Sequence, residues 1–299
     1  MFVPLLIFNV FIKYLNLLYF GIITLTLSIY IYYNEIYLYK FILMRYIYIN
    51  INININININ ININIFMNMY DNVIIIPYRN REPHLKYYLE TTVPLLSRHM
   101  PNSKVVVVEQ DWNNKLFNRG KLINIGVKEY ENKCNYIIPH DIDINPYEHT
   151  IVDYYSPNIT NNSIKGLYNY SIETYDSLGG IIKMHSKTFF DINGFPNDIW
   201  GWGAEDFALK FRADYFKKPI TKTITCENNI EHKYYKVFSD INDANPINND
   251  RNNFKYNLDR YNNEDKLTCI YASGMNNLSY TILNRVNINN YVELIKVSI

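Results

Sequence analysis

Three short apolar runs and several amphipathic stretches set the plan of the chain from residue 71 onward. Val73-Ile74-Ile75-Ile76 is a β-branched run closed by Pro77, and Val105-Val106-Val107-Val108 is another, lying within Lys104 to Glu109. Tyr136-Ile137-Ile138 is a third, and it leads directly into Pro139-His140-Asp141-Ile142-Asp143. Runs this short and apolar at every position predict strands buried on both faces. Between the first two, His84 to Arg98 carries Leu85, Tyr88, Leu89, Leu95 and Leu96 at mostly helical spacing. Pro94 is expected to kink that helix or end it early, because it lacks an N–H and clashes with the preceding turn. Leu116 to Tyr130, with Leu116, Ile123 and Val127 among polar residues, predicts a second helix, and Ala204 to Tyr215 a third. Strand, helix, strand, helix, strand is the order of an α/β protein with a parallel, doubly wound sheet.

The first seventy residues have a different character. Tyr14 to Asn34 is an uncharged stretch of 21 residues rich in Leu, Ile, Tyr and Phe, and a bilayer-spanning helix needs about 20. The stretch is long for a signal peptide and no small-x-small cleavage site follows it, so the reading is an anchor. Lys13 on one side and Glu35, Lys40 and Arg45 on the other leave the orientation undecided by charge. From Ile49 to Asn64 the dipeptide Ile-Asn repeats eight times. Such alternation has the period of a strand, and as a repeat expansion it reads as a spacer without chemistry. The expected organisation is an anchor region over 1–48, a low-complexity stem over 49–70 and one catalytic-sized domain over 71–299.

Charge narrows the partners. The 299 residues carry 29 Lys and Arg against 28 Asp and Glu, a formal charge of +1, and no basic stripe offers itself to a phosphate backbone, so no nucleic acid partner is expected. Three cysteines, Cys134, Cys226 and Cys269, are too few for a disulfide scaffold and lack the C-x-x-C spacing of structural zinc sites. They allow one disulfide and a leftover thiol.

In open α/β sheets, ligands bind beyond the carboxyl ends of the strands. Arg79, Asn80 and Arg81 follow the first run, Glu109, Gln110 and Asp111 the second, and Asp141 and Asp143 the third. Arginines suit an anionic diphosphate through their planar fork, while paired carboxylates suit a hard divalent cation held between protein and phosphate. Together they point to a metal-nucleotide site. Asp141 and Asp143 are two apart, which in an extended segment turns both side chains to one face. On its own D-x-D is more often a solvated loop than a site, and its position after a buried strand at the sheet's carboxyl edge reverses that reading.

Asn193-Gly194-Phe195-Pro196-Asn197-Asp198-Ile199-Trp200-Gly201-Trp202-Gly203-Ala204-Glu205-Asp206 is the most unusual stretch. Glycines let a backbone approach its ligand closely, and indoles offer the broad apolar faces that sugar rings need. Glu205 and Asp206 open the helix over Ala204 to Tyr215. Two readings stand for them: favourable contact with the helix dipole, about 0.3–1 kcal/mol, or a positioned base beside a glycine-bordered pocket.

Here the residues resemble a known family, the β-1,4-galactosyltransferases and their relatives in glycosyltransferase family 7. The segments that carry the resemblance are Ile75-Ile76-Pro77-Tyr78-Arg79-Asn80-Arg81 with His84-Leu85, Phe117-Asn118-Arg119-Gly120-Lys121-Leu122-Ile123-Asn124-Ile125-Gly126, His140-Asp141-Ile142-Asp143, and Asn193 to Pro196 running on to Trp200-Gly201-Trp202-Gly203-Ala204-Glu205-Asp206. A weaker echo is Ser273 to Tyr280. The resemblance implies a GT-A fold, a UDP-sugar donor such as UDP-galactose, Mn²⁺ as cofactor, and transfer with inversion to a sugar hydroxyl of a glycan acceptor. It further implies donor contacts at Arg79, Arg81, Phe117, Arg119, Asp141 and Gly180, metal ligands at Asp143 and His232, acceptor contacts at Trp202 and Glu205, and Asp206 as the base. It implies type II topology as well, with the catalytic domain lumenal in a Golgi-like compartment. Four N-x-S/T sequons, at Asn158, Asn161, Asn169 and Asn277, agree with a lumenal domain.

The chain also departs from the family pattern. Many members have Met three residues before the metal histidine and others His two before it; here stand Asn229 and Ile230. Galactose-transferring members have Tyr where this chain has Ser177, ahead of Leu178-Gly179-Gly180, and a smaller side chain there would admit an N-acetyl group, giving N-acetylgalactosamine transfer. After Glu205-Asp206 the family often has further acids, where this chain has Phe207 and Ala208. Two functions from different classes follow: a membrane-anchored, Mn²⁺-dependent glycosyltransferase, and an inactive sugar-binding relative serving as a recognition protein.

Overall fold

The computed structural model describes residues 69–169, 177–201, 203–223, 233–238, 252–263 and 265–299. The expected anchor, the Ile-Asn stretch, Trp202, Cys226 and His232 lie outside the described residues. Among the described residues no helix is long and apolar enough to cross a membrane.

All three apolar runs form strands: β1 (Tyr70–Tyr78), β2 (Ser103–Gln110) and β3 (Cys134–Pro139). Both β1/β2 and β1/β3 are parallel, with Ile75 opposite Val106 on one side and Pro139 on the other. The period-2 alternation of these runs divides them between two layers. Ile74, Ile76, Val105, Val107 and Ile138 pack with Tyr88, Val93 and Leu96 on one face. Val73, Ile75, Val106, Val108 and Ile137 pack with Leu122, Ile123 and Val127 on the other. Each such side chain contributes about 1.5–3 kcal/mol when fully buried.

Of the two outcomes expected at Pro94, a kink or an early end, the helix does not end there but continues through an irregular turn. It runs as α1 (Glu82–Tyr87), a π-helical turn over Tyr88–Thr92 and α2 (Val93–His99). Pro94 sits in the first turn of α2, and the wider turn before it takes up the change in hydrogen bonding that a proline imposes. The second helix is shorter than its apolar pattern: α3 (Arg119–Glu129) begins after Asn118, whose side chain accepts from the Lys121 N–H and so satisfies a donor of the first turn. Gly126 lets α3 lie against β1, since a Cβ there would meet Ile75 Cγ2 at 2.5 Å.

Beyond β3 come β4 (Ile144–Pro146), β5 (Ile164–Tyr168), β6 (Ile181–His185), α4 (Ser186–Asp191), α5 (Glu205–Tyr215), β7 (Ile220–Lys222), β8 (Tyr235–Val237), α6 (Asn252–Asn263), α7 (Lys266–Ala272), β9 (Thr281–Asn287) and β10 (Val292–Ser298). The main sheet has the order β7-β5-β6-β3-β1-β2-β10-β9, and β4 pairs with β8 apart from it. It is a mixed sheet, in which four of the seven neighbouring pairs are parallel and three antiparallel. The pairs β10/β2 and β5/β7 are parallel like the centre, but β3/β6, β5/β6 and β9/β10 are antiparallel. The runs legible in the sequence are those at the parallel centre, buried on both faces; β9, exposed throughout, has no such run to read. Cys134 and Cys269 are both buried.

Candidate active site

Residues at the carboxyl edge of β1, β2 and β3 and at the start of two helices meet in one cluster. Arg119, the first residue of α3, is its centre. The backbone ahead of it is pinned: the Asn118 N–H donates to Gln110 Oε1 at the end of β2 (2.9 Å), and Asn118 Nδ2 donates to the Asn197 carbonyl (2.8 Å). Arg119 Nε donates to Asp141 Oδ1 at 2.7 Å and Nη1 to Asp206 Oδ1 at 2.7 Å, while Glu205 Oε1 lies 3.7 Å from Nη1. Its Nη2 is buried without a hydrogen-bond partner among the described residues.

One guanidinium therefore faces three carboxylates in a partly dry setting. Burial disfavours the charge on Arg119, but Asp141, Asp206 and Glu205 outweigh it and hold the guanidinium protonated more firmly than usual. The carboxyls respond in the opposite direction. Burial raises Glu205 above the usual carboxylate range against the pull of Arg119. Burial likewise pushes Asp206 well above it, with Glu205 and Asp141 adding to the rise and Arg119 opposing it. A buried carboxyl with a raised proton affinity, at the edge where ligands bind, is what a general base requires.

Both acids stand in the first turn of α5, as the sequence predicts. Ala204, just before them, is left-handed at φ 63°, a conformation unfavourable for alanine, and such backbone strain collects at functional sites. Leu178 N–H donates to the Asp206 carbonyl (3.1 Å), which brings the 177–180 segment against the acid pair. Gly179 then touches the carboxylate itself: a Cβ on it would lie 2.0 Å from Asp206 Oδ2. Its neighbour Gly180, at φ +72°, accepts from the Asp141 N–H (3.1 Å) and ties the same segment to the D-x-D turn.

The D-x-D segment is a turn, with the Ile144 N–H donating to the Asp141 carbonyl (3.2 Å), so the alternation expected of an extended segment does not apply. Each aspartate takes a different arginine: Asp141 takes Arg119, and Asp143 accepts from Arg81 Nη1 at 3.4 Å. His140 anchors the turn from below. It is wholly buried, contacts the Asp141 carbonyl through Nδ1 (2.9 Å) and Tyr155 Oη through Nε2 (3.2 Å), and burial depresses its pKa to about 3.

Around Arg79 lies a second part of the site. The side chain is 3% exposed and donates from Nη1 to the Lys115 carbonyl (2.9 Å). Its guanidinium carbon sits 5.4 Å from the ring centre of Phe117 and 5.7 Å from that of Trp112. Burial lowers its pKa, though arginine stays charged at any ordinary pH.

The structure thus brings Arg119, Asp141, Glu205 and Asp206 together, joins Asp143 to Arg81, sets Phe117 against Arg79, and fastens Gly180 to the D-x-D turn. Glu109 and Asp111 do not join them: both face Lys296 of β10, at 3.4 and 3.5 Å. Gln110, grouped with them in the sequence, is a structural support for Asn118 and the Leu116 carbonyl. Gly179 and Trp112 are contributions that sequence reasoning passed over. Gly179 had a signal, its place beside Gly180; a single Trp112 in a polar loop had none.

Comparison with known proteins agrees with this geometry. A model described as the N-terminal region of glycosyl transferase group 7 matches residues 65–155, and one described as the N-terminal domain of galactosyltransferase matches residues 163–226. β-1,4-Galactosyltransferase 4 of Cricetulus griseus is 32% identical over 205 residues, 66% of this chain and 57% of that protein. β-1,4-Galactosyltransferase 1 of Homo sapiens is 31% identical over 220 residues, 71% of this chain and 50% of that protein. The chain thus spans about half the length of the curated relatives it matches. The catalytic domain of Drosophila β1,4-galactosyltransferase 7 in complex with xylobiose superposes with a TM-score of 0.61 at 20% identity, over 77% of this chain and 94% of that one. A mutant of the same enzyme complexed with manganese, UDP-Gal and xylobiose gives 0.62 at 20% identity with the same coverage. These two superpositions establish the GT-A fold. With both family models in register and the motif residues gathered at one sheet edge, the chain belongs to the β-1,4-galactosyltransferase family, glycosyltransferase family 7.

Proposed function

We propose that the protein is a UDP-sugar-dependent hexosyltransferase that moves galactose, or N-acetylgalactosamine, to a sugar hydroxyl of a glycan with inversion. The observation that carries this reading is Arg119 holding Asp141, Glu205 and Asp206 at the carboxyl edge of the sheet. Asp206 is the base: its raised proton affinity suits it to take the acceptor proton as the hydroxyl oxygen attacks the anomeric carbon. The new C–O bond forms on the face opposite the leaving group, the bond to UDP breaks, and its electron pair leaves with the diphosphate. Such general-base assistance is worth roughly 10²–10⁴-fold in rate. Glu205 and Trp202 position the acceptor, while Arg79, Arg81, Phe117, Arg119, Asp141 and Gly180 hold the donor.

The residues present suit a divalent cation. The D-x-D turn brings the carboxylate oxygens of Asp143 to the same edge as the arginines, and oxygen donors are those a hard cation takes. Asp143, with His232, would hold Mn²⁺, which when bound neutralises charge developing on the departing diphosphate. The relatives' names and the manganese and UDP-Gal of the Drosophila complex support the donor and the metal. Ser177 supports N-acetylgalactosamine as a second donor sugar, and Tyr14 to Asn34 supports a type II membrane anchor behind a lumenal domain.

UDP release by the full chain with Mn²⁺, over a panel of UDP-sugars with and without sugar acceptors, tests the reading against Asp143→Asn and Asp206→Asn. Acceptor-stimulated release that both variants lose is the expected result and names the donor. Sugar binding without release would turn the reading to an inactive, sugar-binding relative.

A further inference from the structure

The four N-x-S/T sequons are alike in sequence and unlike in the fold. Asn158 and Asn161 stand in the loop of residues 156–163, which joins a π-helical turn over Ile151–Tyr155 to β5. Both are exposed, and neither side chain enters a hydrogen bond among the described residues. The backbone beneath Asn158 is nonetheless held. Lys183 Nζ donates to the Pro157 carbonyl at 3.1 Å, Tyr136 Oη to the Ile159 carbonyl at 3.3 Å, and Ser156 Oγ to the His99 carbonyl at 3.4 Å. Beside Asn161, the Ser163 N–H closes a turn on the Thr160 carbonyl at 3.1 Å. A substituent on either amide projects into solvent and displaces no contact of the fold.

The other two amides are engaged. Asn169 is 1% exposed, and its Nδ2 lies so close to the backbone of β5 that a Cβ on Gly166 would meet it at 2.5 Å, which leaves no room for a sugar. Asn277 is at the surface, but its Oδ1 accepts from the Gly274 N–H at 2.9 Å and from Asn197 Nδ2 at 3.1 Å, while its Nδ2 donates to the Ala272 carbonyl at 2.7 Å. A glycosylated amide is a secondary amide and favours the trans form. That form sets the sugar on the side of Oδ1, where those two donors already stand.

We propose that the 156–163 loop, through Asn158 and Asn161, is the N-glycan acceptor of this domain, and that Asn169 and Asn277 stay unmodified in the folded protein. The proposal rests on the reading of the domain as lumenal, and the sugar source is a lipid diphosphate-linked oligosaccharide. The amide nitrogen bonds to the anomeric carbon of the oligosaccharide and gives up one proton. The bond from that carbon to the lipid diphosphate breaks, and its electron pair leaves with the diphosphate.

The test takes the full chain from a eukaryotic secretory host, purified in mild detergent as a folded, monodisperse species. A peptide amidase removes its glycans in heavy-oxygen water, turning each glycosylated Asn into a labelled Asp that mass spectrometry locates. The expected label falls on Asn158, Asn161 or both, and on neither Asn169 nor Asn277. Thr160→Val with Ser163→Ala should then abolish the glycan's gel shift, and Ser171→Ala with Ser279→Ala should leave it whole. Label on Asn169 or Asn277, or a shift that survives Thr160→Val with Ser163→Ala, overturns the proposal. For a chain with no label, protease digestion of sealed vesicles separates two causes. A domain protected yet unlabelled overturns the loop as acceptor and leaves the lumenal reading standing, whereas a domain digested from outside overturns the lumenal reading and the loop with it.

Discussion

Gly179→Ala would place a methyl carbon 2.0 Å from Asp206 Oδ2 and 2.7 Å from its Cγ. Real Cβ contacts essentially never fall below 3.0 Å, so the carboxylate would have to retreat by about 1 Å. It cannot do so freely. Arg119 Nη1 holds Oδ1 at 2.7 Å and the Leu178 N–H holds the Asp206 carbonyl at 3.1 Å. Retreat therefore strains a charge-assisted hydrogen bond worth about 1.5–3 kcal/mol, and overpacking of this kind typically costs about 1–3 kcal/mol. A base displaced by 1 Å loses on the order of 10²-fold in turnover. The assay is kcat for sugar transfer beside UDP affinity: kcat should fall about a hundredfold while UDP affinity stays near wild type. Urea unfolding supplies the control, because in an Asp206→Ala background the same methyl group meets no carboxylate and its stability cost should vanish. A Gly179→Ala protein with kcat within twofold of wild type, or an equal stability cost in both backgrounds, would refute the contact.

Three further expectations follow from the buried ionisable groups. Asp206→Asn should lower transfer by roughly 10²–10⁴-fold without lowering the thermal midpoint at neutral pH. The folded state raises this carboxyl's pKa, so ionised Asp206 costs stability progressively as pH climbs above the ordinary carboxylate value; a fall in the midpoint would show that its ion pair outweighs its burial. His140 is held neutral down to about pH 3 in the fold and takes a proton near 6.5 when unfolded, so stability should decline from about pH 6.5 toward 3. In His140→Asn that acid decline should be smaller, read from urea midpoints across the range. Lys183 is fully buried, donates to the Tyr155 and Pro157 carbonyls at 2.6 and 3.1 Å, and burial brings its pKa from 10.5 to about 8. The fold favours its neutral form, so its contribution should rise between about pH 8 and 10.5, and the difference between wild type and Lys183→Met across that window measures it.

The parallel centre of the sheet was legible because Val73 to Ile76, Val105 to Val108 and Tyr136 to Ile138 are buried on both faces, and only such strands are apolar at every position. The remaining strands were not. All of β9 is exposed, β4, β7 and β8 have three residues each, and such segments take their pairing from partners distant in the chain. Pro94 left two outcomes open for a related reason: a proline's local cost is visible in sequence, but the packing of Tyr88, Val93 and Leu96 that carries the helix on through a π-helical turn is not.

Sequence by itself determined which chemistry the protein carries. The arginines after β1, the D-x-D after β3 and the acid pair opening α5 are residue types and local positions, set by strands and helix starts whose signals are short-range. Tertiary structure decided which of those groups share a site. Glu109 and Asp111 stand at a strand end as favourable as that before Asp141, yet they face Lys296. Arg119, 22 residues from Asp141 and 87 from Asp206, binds both. Raised proton affinity at Asp206 and the space that Gly179 leaves for it arise only when those segments meet, because burial and Coulomb interaction depend on distance through space and not along the chain.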